Sequence, residues 1–198
     1  MSVMTPADGW SPVQDVLIQV EKGARRATGA AAWDQGRIRL KLPGGLTKRE
    51  EARLLGLLVW GLLGRVMAPT ADRLARRLNE AHFRRPLQRV CFHHQTRRWG
   101  SCSSGRCIYL SHRLLAARAE LVETVLLHEL AHLDCLNHGR EFWRALEQAD
   151  PGCRRGRSLL AAYGRVWEEW WLGHLRHLAR HGWTRLDPPA FEAGLCEP

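Results

Sequence analysis

The 198-residue sequence has no apolar stretch long enough to cross a membrane. Its longest apolar run, residues 54–63, covers ten residues, whereas a spanning helix needs about twenty. The chain also begins without the charged and apolar segments of a secretory leader, and its six cysteines include no C-x2-C pair. We therefore expect a cytoplasmic protein with reduced cysteines and no membrane span.

Acidic residues are almost missing from the middle of the chain. Residues 73–118 hold eleven arginines and a single acid, Glu80, so this basic segment accounts for the whole net charge of +10. Only three of the thirty basic residues are lysines, a bias that a GC-rich genome produces as readily as phosphate recognition does. The basic segment predicts attraction to acidic peptides, phosphate-rich partners or nucleic acid.

The remaining composition, 45% hydrophobic and 25% charged, is typical of a globular protein of about one domain. Two segments alternate between apolar and polar residues, residues 13–20 and 36–42, around a connection rich in small residues. This pattern predicts an antiparallel pair of strands.

Helix signals begin after these strands. Thr47 and Glu50 form a capping-box signature that opens an apolar helix, which we expect to end near Met67 because Ala68-Pro69 follows. The other expected elements are helices at 70–82, 116–136, 139–148 and 158–180 and strands at 90–95 and 107–111, joined by a turn at 101–105. This order predicts a single α+β domain in which a small, mostly antiparallel sheet packs on helices.

The motif that indicates chemistry is His128-Glu129-Leu130-Ala131-His132, an H-E-x-x-H pattern. On a helix the two histidines lie one turn apart on the same face and can share one cation, and Glu129 can reach a metal-activated water. The surrounding residues predict such a helix, because apolar side chains recur at helical spacing and glycine and proline are absent. Histidine and glutamate are costly to bury without partners, so the sequence predicts a metal site, with zinc as the metal.

A third protein ligand is required, since zinc takes about four ligands and a hydrolytic site leaves one position open. His138 is the expected third ligand. It lies six residues beyond His132, which allows the helix to end and the chain to turn back towards the metal. Phe142 and Trp143 would pack the next helix against the core and fix the His138 backbone.

Two other metal sites are compatible with the sequence. Cys135, three residues past His132, would complete a closed, non-catalytic zinc site, but Glu129 would then have no role. Cys102 and Cys107 form a C-x4-C spacing that His93 or His94 could complete as a nucleic-acid knuckle. Buried thiols explain these two cysteines more simply.

Taken in order, these motifs resemble the YgjP-like family of zinc metallopeptidases, which is related to SprT-like and minimal gluzincin-type proteases. The motifs that carry the resemblance are Trp99-Gly100-Ser101-Cys102-Ser103, Leu110-Ser111-His112-Arg113-Leu114, the H-E-x-x-H pattern, Asn137-His138-Gly139, Phe142-Trp143 and a Pro-Gly-x-x-R-x-x-R-like segment at Pro151 to Arg157. The resemblance implies a zincin-like fold whose active-site helix carries H-E-x-x-H. It also implies His128, His132 and His138 as metal ligands and Glu129 as the base.

This chain departs from the family pattern in two places. Family members commonly have asparagine near Ser111 or His112 and serine after the third histidine, where this chain has Gly139. Neither position is one of the expected ligands.

The expected activity is that of a zinc metallopeptidase, in which Glu129 takes a proton from a metal-activated water and passes it to the leaving amine. Tyr163, His112 and the basic side chains near Arg97 are candidates for stabilising the oxyanion, and the sequence does not choose among them.

The expected substrate-binding residues are Arg98, Trp99 and Gly100. The strand that leads into Trp99-Gly100 precedes the metal-binding helix and could be the sheet edge that accepts an extended peptide as an additional strand. Gly100 would let the peptide backbone approach closely, and Trp99 is as readily a core or rim aromatic as a substrate contact.

An alternative function is that of a nucleic-acid-associated protein, which would act on DNA-bound proteins as SprT-like enzymes do and bind through the basic segment. We expect residues 1–163 to form the metallopeptidase domain and residues 164–198 a Trp-rich helical extension. The apolar stripe of this extension favours a helix packed on the domain, with a partner-binding or membrane-surface helix as the other interpretation.

Overall fold

The computed structural model describes Trp10 and residues 13–24 and 29–191. Residues 1–9, 11, 12 and 25–28 of the predicted domain (1–163) lie outside the described residues. So do residues 192–198 of the predicted extension (164–198), which include Cys196. The elements in chain order are β1 Val16–Ala24, β2 Ala30–Asp34, β3 Arg37–Pro43, α1 Lys48–His82, β4 Arg89–His93, β5 Gly100–Cys102, β6 Cys107–Ser111, a 3-10 turn His112–Ala116, α2 Ala119–Ala131, α3 Arg140–Ala149, α4 Cys153–His181 and β7 Trp183–Leu186. The α+β class is confirmed.

The first sheet has the strand order β2-β3-β1-β7. β1 and β3 pair in parallel, with Ile18 opposite Ile38, so the prediction that these two strands are antiparallel is wrong. The prediction fails because of β2, whose alanine-rich sequence resembles a loop between strands rather than a strand. Gln35 and Gly36 have φ values of 43° and 86° and form a tight turn between β2 and β3, which brings β3 back beside β1 in the parallel direction.

The second sheet has the order β4-β6-β5. β4 is parallel to β6, and β5 is antiparallel to it. The described residues therefore form two small mixed sheets rather than one mostly antiparallel sheet. β5 is an edge strand of only three residues, and it occupies the beginning of the segment predicted to be a turn.

α1 begins at the predicted capping box, in which the Thr47 side chain and the Glu50 carboxylate each accept a hydrogen bond from the other's backbone. The predicted end near Met67 is wrong, because α1 continues through Pro69 to His82. Buried Met67 and Ala71 lie on either side of this proline, and their burial offsets the one helical hydrogen bond that proline cannot make.

Although its longest uninterrupted apolar run covers ten residues, α1 as a whole is the one helix among the described elements that is long and apolar enough to cross a membrane, which corrects the expectation drawn from that run alone. Half of its most apolar window is buried inside the protein, as in a core helix. It packs on β4, α2 and the 3-10 turn. The compartment in which the protein acts remains a prediction.

α4 runs without interruption past residue 163, where the boundary between domain and extension was predicted. Beyond that point Trp167 and Trp171 are buried, with ring centroids 5.7 and 4.8 Å from that of Trp60 on α1. β7 then pairs with β1 as an edge of the first sheet. The described part of the extension thus packs into the core.

Candidate metal centre

The centre lies at the C-terminal end of α2. Leu121, Val122, Val125, Leu126 and Leu130 are buried and fix α2 in the core. His128 lies in the last turn of α2, and His132 is its C-cap residue with helical backbone angles. This end of a helix carries a partial negative charge, which favours a bound cation.

Three imidazoles meet at this point. The nearest ligand atoms of His128, His132 and His138 all lie within 4.8 Å of one another, and the Nε2 atoms of His128 and His138 are 3.1 Å apart. Two nitrogens that bind one zinc at about 2.0–2.1 Å must lie within about 4.2 Å of each other. The cluster therefore fits a metal ion after small side-chain rotations.

The tautomer of His132 is set by its neighbour. Its Nδ1 lies 2.9 Å from the Cys135 carbonyl oxygen, and because a carbonyl only accepts, Nδ1 carries the proton and donates it. The lone pair of Nε2 is then available for a metal, an arrangement common among metal-binding histidines.

Phe142, which is fully buried at the start of α3, supports the three rings. Its ring centroid lies 5.0, 4.6 and 4.7 Å from those of His128, His132 and His138. An ion pair between Arg85 and Asp134, with 2.5 Å between Nε and Oδ1, holds the chain that leads from α2 towards His138.

Burial and neighbouring charges lower the pKa values of two of the three histidines. Burial, together with the charges of His132 and His138, lowers the pKa of His128 to about 4. Burial and the charge of His132 also lower the pKa of His138. Both rings are therefore neutral near pH 7, and neutral imidazole is the form that coordinates metals.

Glu129 is buried, with 5% of its surface exposed, and its carboxylate lies against β5. Burial raises its pKa to about 7, although the charge of Arg98 and a hydrogen bond from the Cys102 backbone act in the opposite direction. A Cβ atom added at Gly100 would lie 2.8 Å from Cγ and Oε1 of Glu129. The missing side chain of Gly100 thus makes room for the Glu129 carboxylate.

A pocket of about 770 Å³ surrounds these groups and is bounded by β5, α2, α3 and α4. His128, Glu129, His132 and His138 line it together. The three predicted substrate-binding residues, Arg98, Trp99 and Gly100, also line it.

Two of the candidates for stabilising the oxyanion lie elsewhere. Tyr163 is buried and donates its hydroxyl hydrogen to the Arg113 carbonyl at 3.0 Å. His112 is buried in a separate cleft beside Trp60 and Trp167. Of the basic side chains near residue 97, Arg98 is the one that lines the pocket.

The two alternative metal sites lack their ligands. Among the described residues, the three histidines are the one group of three or more histidine, cysteine or acidic side chains close enough to share an ion. Cys135 interacts with His132 through its carbonyl oxygen, and its thiol is not part of the histidine cluster. Cys102 and Cys107 are free thiols near the carbonyls of Ser103 and Gly105.

Two arginines have roles in this region that the sequence did not predict. Arg113 is buried, lies 3.8 Å above the Trp99 ring and donates a hydrogen bond to the Arg98 carbonyl at 3.2 Å. Arg157 reaches the pocket from α4. Both lie in segments that carry the family resemblance, but the sequence indicates no role for either, since each is one of many arginines and acts across the fold.

Comparison with known proteins gives one match. A family model described as a YgjP-like metallopeptidase domain matches residues 27–163. No curated protein and no solved structure matches the chain significantly. The matched range contains all three clustered histidines and Glu129.

Proposed function

This chain belongs to the YgjP-like metallopeptidase family, and we propose that it is a zinc-dependent peptidase with a zincin-like fold. One observation carries the proposal: three histidine ligand atoms lie within 4.8 Å of one another in a pocket that also contains a buried glutamate. Three imidazole ligands leave one zinc position open, which is the ligand count of a catalytic zinc site.

His128, His132 and His138 would hold the zinc through their ring nitrogens. When bound, zinc supplies a Lewis acid that polarises the substrate carbonyl and makes a water molecule acidic near neutral pH. The hydrogen bond from His132 to the Cys135 carbonyl and the packing of Phe142 keep the imidazoles oriented.

Glu129 is the general base in this proposal. Its carboxylate accepts the proton of the attacking water and then delivers it to the leaving amine. The contact with Gly100 and the hydrogen bond from the Cys102 backbone hold this carboxylate beside the histidine cluster.

β5 is the surface proposed to bind the peptide. One side of β5 pairs with β6, and β5 ends the sheet while lining the pocket. An extended peptide that pairs with this edge gains backbone hydrogen bonds without sequence preference. Its scissile bond would then pass the histidine cluster and Glu129.

Glu129→Gln tests this function. The amide has nearly the shape of the carboxylate but accepts no proton, so we expect the zinc-loaded variant to lose about 100-fold or more in kcat/KM on a fluorogenic peptide. Its zinc content and circular dichroism should match those of the parent protein.

Glu123→Gln, on the same helix but outside the pocket, is the matched control and should keep full activity. Activity of Glu129→Gln within about tenfold of the parent would remove Glu129 from the role of general base. Loss of zinc in Glu129→Gln would show that Glu129 acts structurally.

A second candidate is action on DNA-bound proteins. Its specific support is that Arg97 and Arg98, which belong to the basic segment, are exposed beside or in the pocket. Binding of DNA or RNA through phosphates should weaken steeply between about 50 and 200 mM salt and show little sequence preference. Arg84→Glu with Arg106→Glu, both exposed and outside the pocket, should weaken it further and spare hydrolysis of a short peptide. Arg85 is left unchanged because it pairs with Asp134 beside the chain that leads to His138.

A further inference from the structure

The charges of the pocket are unbalanced. Glu129 is the single acid among the described residues that line it, whereas two arginines, Arg98 and Arg157, line it as well. The charge of Arg98 acts on Glu129, so Arg98 already has an electrostatic partner. Arg157 is the remaining cation of the pocket.

Arg157 is held in place without being neutralised. Its guanidinium carbon lies 5.4 Å from the centre of the Trp143 ring, a cation–π contact that restrains the side chain and keeps its charge. No ion pair of Arg157 is found within the described part of the chain. By contrast, Arg154 on the same helix pairs with Glu147 at 3.3 Å.

The surroundings of Arg157 are those of a ligand pocket. Leu146 and Leu160 line the same pocket and are buried, and Leu136 at its rim is 78% exposed. β5 and α4 both pack on α2, so a peptide lying along β5 would present its side chains or its end towards α4. An exposed guanidinium beside apolar walls suits a carboxylate carried on a partly apolar peptide.

We propose that the pocket selects acidic peptides and that Arg157 is the specificity-determining residue that binds the substrate carboxylate. This inference rests on the proposed peptidase function, whose substrate class it names. The carboxylate belongs either to an aspartate or glutamate side chain or to the free C-terminus of the peptide. Both present the same planar anion to a guanidinium, which can bind it through two parallel hydrogen bonds.

Binding to the zinc-loaded Glu129→Gln protein tests the inference without requiring turnover. Peptides labelled with a fluorophore are compared by anisotropy in matched pairs, with glutamate or glutamine at each position and with an acid or amide C-terminus. We expect the carboxylate to tighten binding by about tenfold or more. Loss of the preference on Glu→Gln identifies a side chain as its source, and loss on amidation identifies the C-terminus.

Arg157→Gln in this background should abolish the preference and leave the affinity for fully neutral peptides unchanged. Because Glu129→Gln also removes the partner of Arg98, Arg98→Gln is made in the same background and should keep the preference for the carboxylate. Arg157→Lys should retain part of it, because the charge remains and the planar fork is lost. Arg155→Gln, on the same helix but outside the pocket, is the matched control and should behave as the parent. If Arg157→Gln misfolds by circular dichroism, Arg157→Glu replaces it and should reverse the preference towards lysine-containing peptides.

Equal binding of acidic and neutral peptides by the parent would overturn the inference. A uniform loss of affinity in Arg157→Gln, neutral peptides included, would also overturn it and assign Arg157 to the peptide backbone. Selective binding of carboxylates by a zinc-loaded protein that hydrolyses no peptide would support the inference and reject the proposed function, so the two failures are distinguishable.

Discussion

At the scale of single residues, the centre depends on close contacts around Glu129. The α carbon of Gly100 approaches Glu129 so closely that any side chain at position 100 would displace the carboxylate. Next to it, the buried guanidinium of Arg113 stacks on Trp99 and holds the Arg98 carbonyl. These contacts fix the start of β5 relative to the carboxylate.

Gly100→Ala should lower kcat/KM by about 100-fold, because a Cβ atom 2.8 Å from Cγ and Oε1 of Glu129 moves the carboxylate by a fraction of an ångström or more. The stability cost should be about 1–3 kcal/mol. Steady-state kinetics and urea unfolding measure the two effects.

Gly105→Ala in the same hairpin is the control, since the nearest atom to its Cβ would be the Ser103 hydroxyl at an ordinary 3.7 Å. A Gly100→Ala protein with full activity would show that Glu129 tolerates displacement.

At the scale of elements, the site is built where β5, α3 and α4 meet α2. α4 crosses α2 very closely, because a Cβ atom at Gly156 would lie 2.6 Å from Cγ2 and Oγ1 of Thr124. This approach places Arg157, the next residue along α4, at the pocket.

Gly156→Ala should therefore destabilise the protein by about 1–2 kcal/mol, since overpacking at the crossing outweighs the gain in helix propensity. Gly173→Ala, elsewhere on α4 and facing open space, should instead stabilise by up to about 1 kcal/mol. Thermal unfolding measures both. Adding Thr124→Ala to Gly156→Ala should restore most of the loss, and the absence of rescue would locate the strain elsewhere.

What the sequence predicts at this scale depends on how local each signal is. The H-E-x-x-H spacing and the capping box at Thr47 are local signals that act within one or two turns. α1 begins at the predicted capping box, and α2 lies within the range predicted for it. β5 escapes prediction because three residues are too few to show alternation. α1 passes Pro69 because tertiary burial outweighs a local preference, and Arg157 approaches the histidines only through the folded chain.

At the scale of the whole molecule, α1, α4 and the 3-10 turn meet around His112. This histidine is buried between Trp60 and Trp167 and stacks on His94. Burial, followed by the charges of His94 and Arg113, lowers its pKa to about 3. A neutral His112 is therefore part of the folded core.

This burial makes the free energy of unfolding depend on pH. An unfolded histidine binds a proton below about pH 6.5 while folded His112 stays neutral down to about pH 3, so stability is complete above this window and falls as the pH drops through it. By about pH 5 the loss from this residue should reach roughly 2 kcal/mol.

Urea unfolding at several pH values, with chelator present throughout, measures the effect. His112→Phe, which keeps an aromatic ring but does not titrate, should show a shallower loss between about pH 6.5 and 5. Exposed His82→Gln should keep the slope of the parent. An unchanged slope in His112→Phe would mean that other groups cause the acid sensitivity.

The central claim is that His128, His132 and His138 together form one zinc site. Elemental analysis of the purified protein tests it most directly, with His138→Ala as the variant and exposed His82→Ala as the matched control. The claim predicts about one zinc per chain in the parent and in His82→Ala, and loss of most of the zinc in His138→Ala. Full zinc in His138→Ala, or a metal-free parent after purification in zinc-containing buffer, would contradict it.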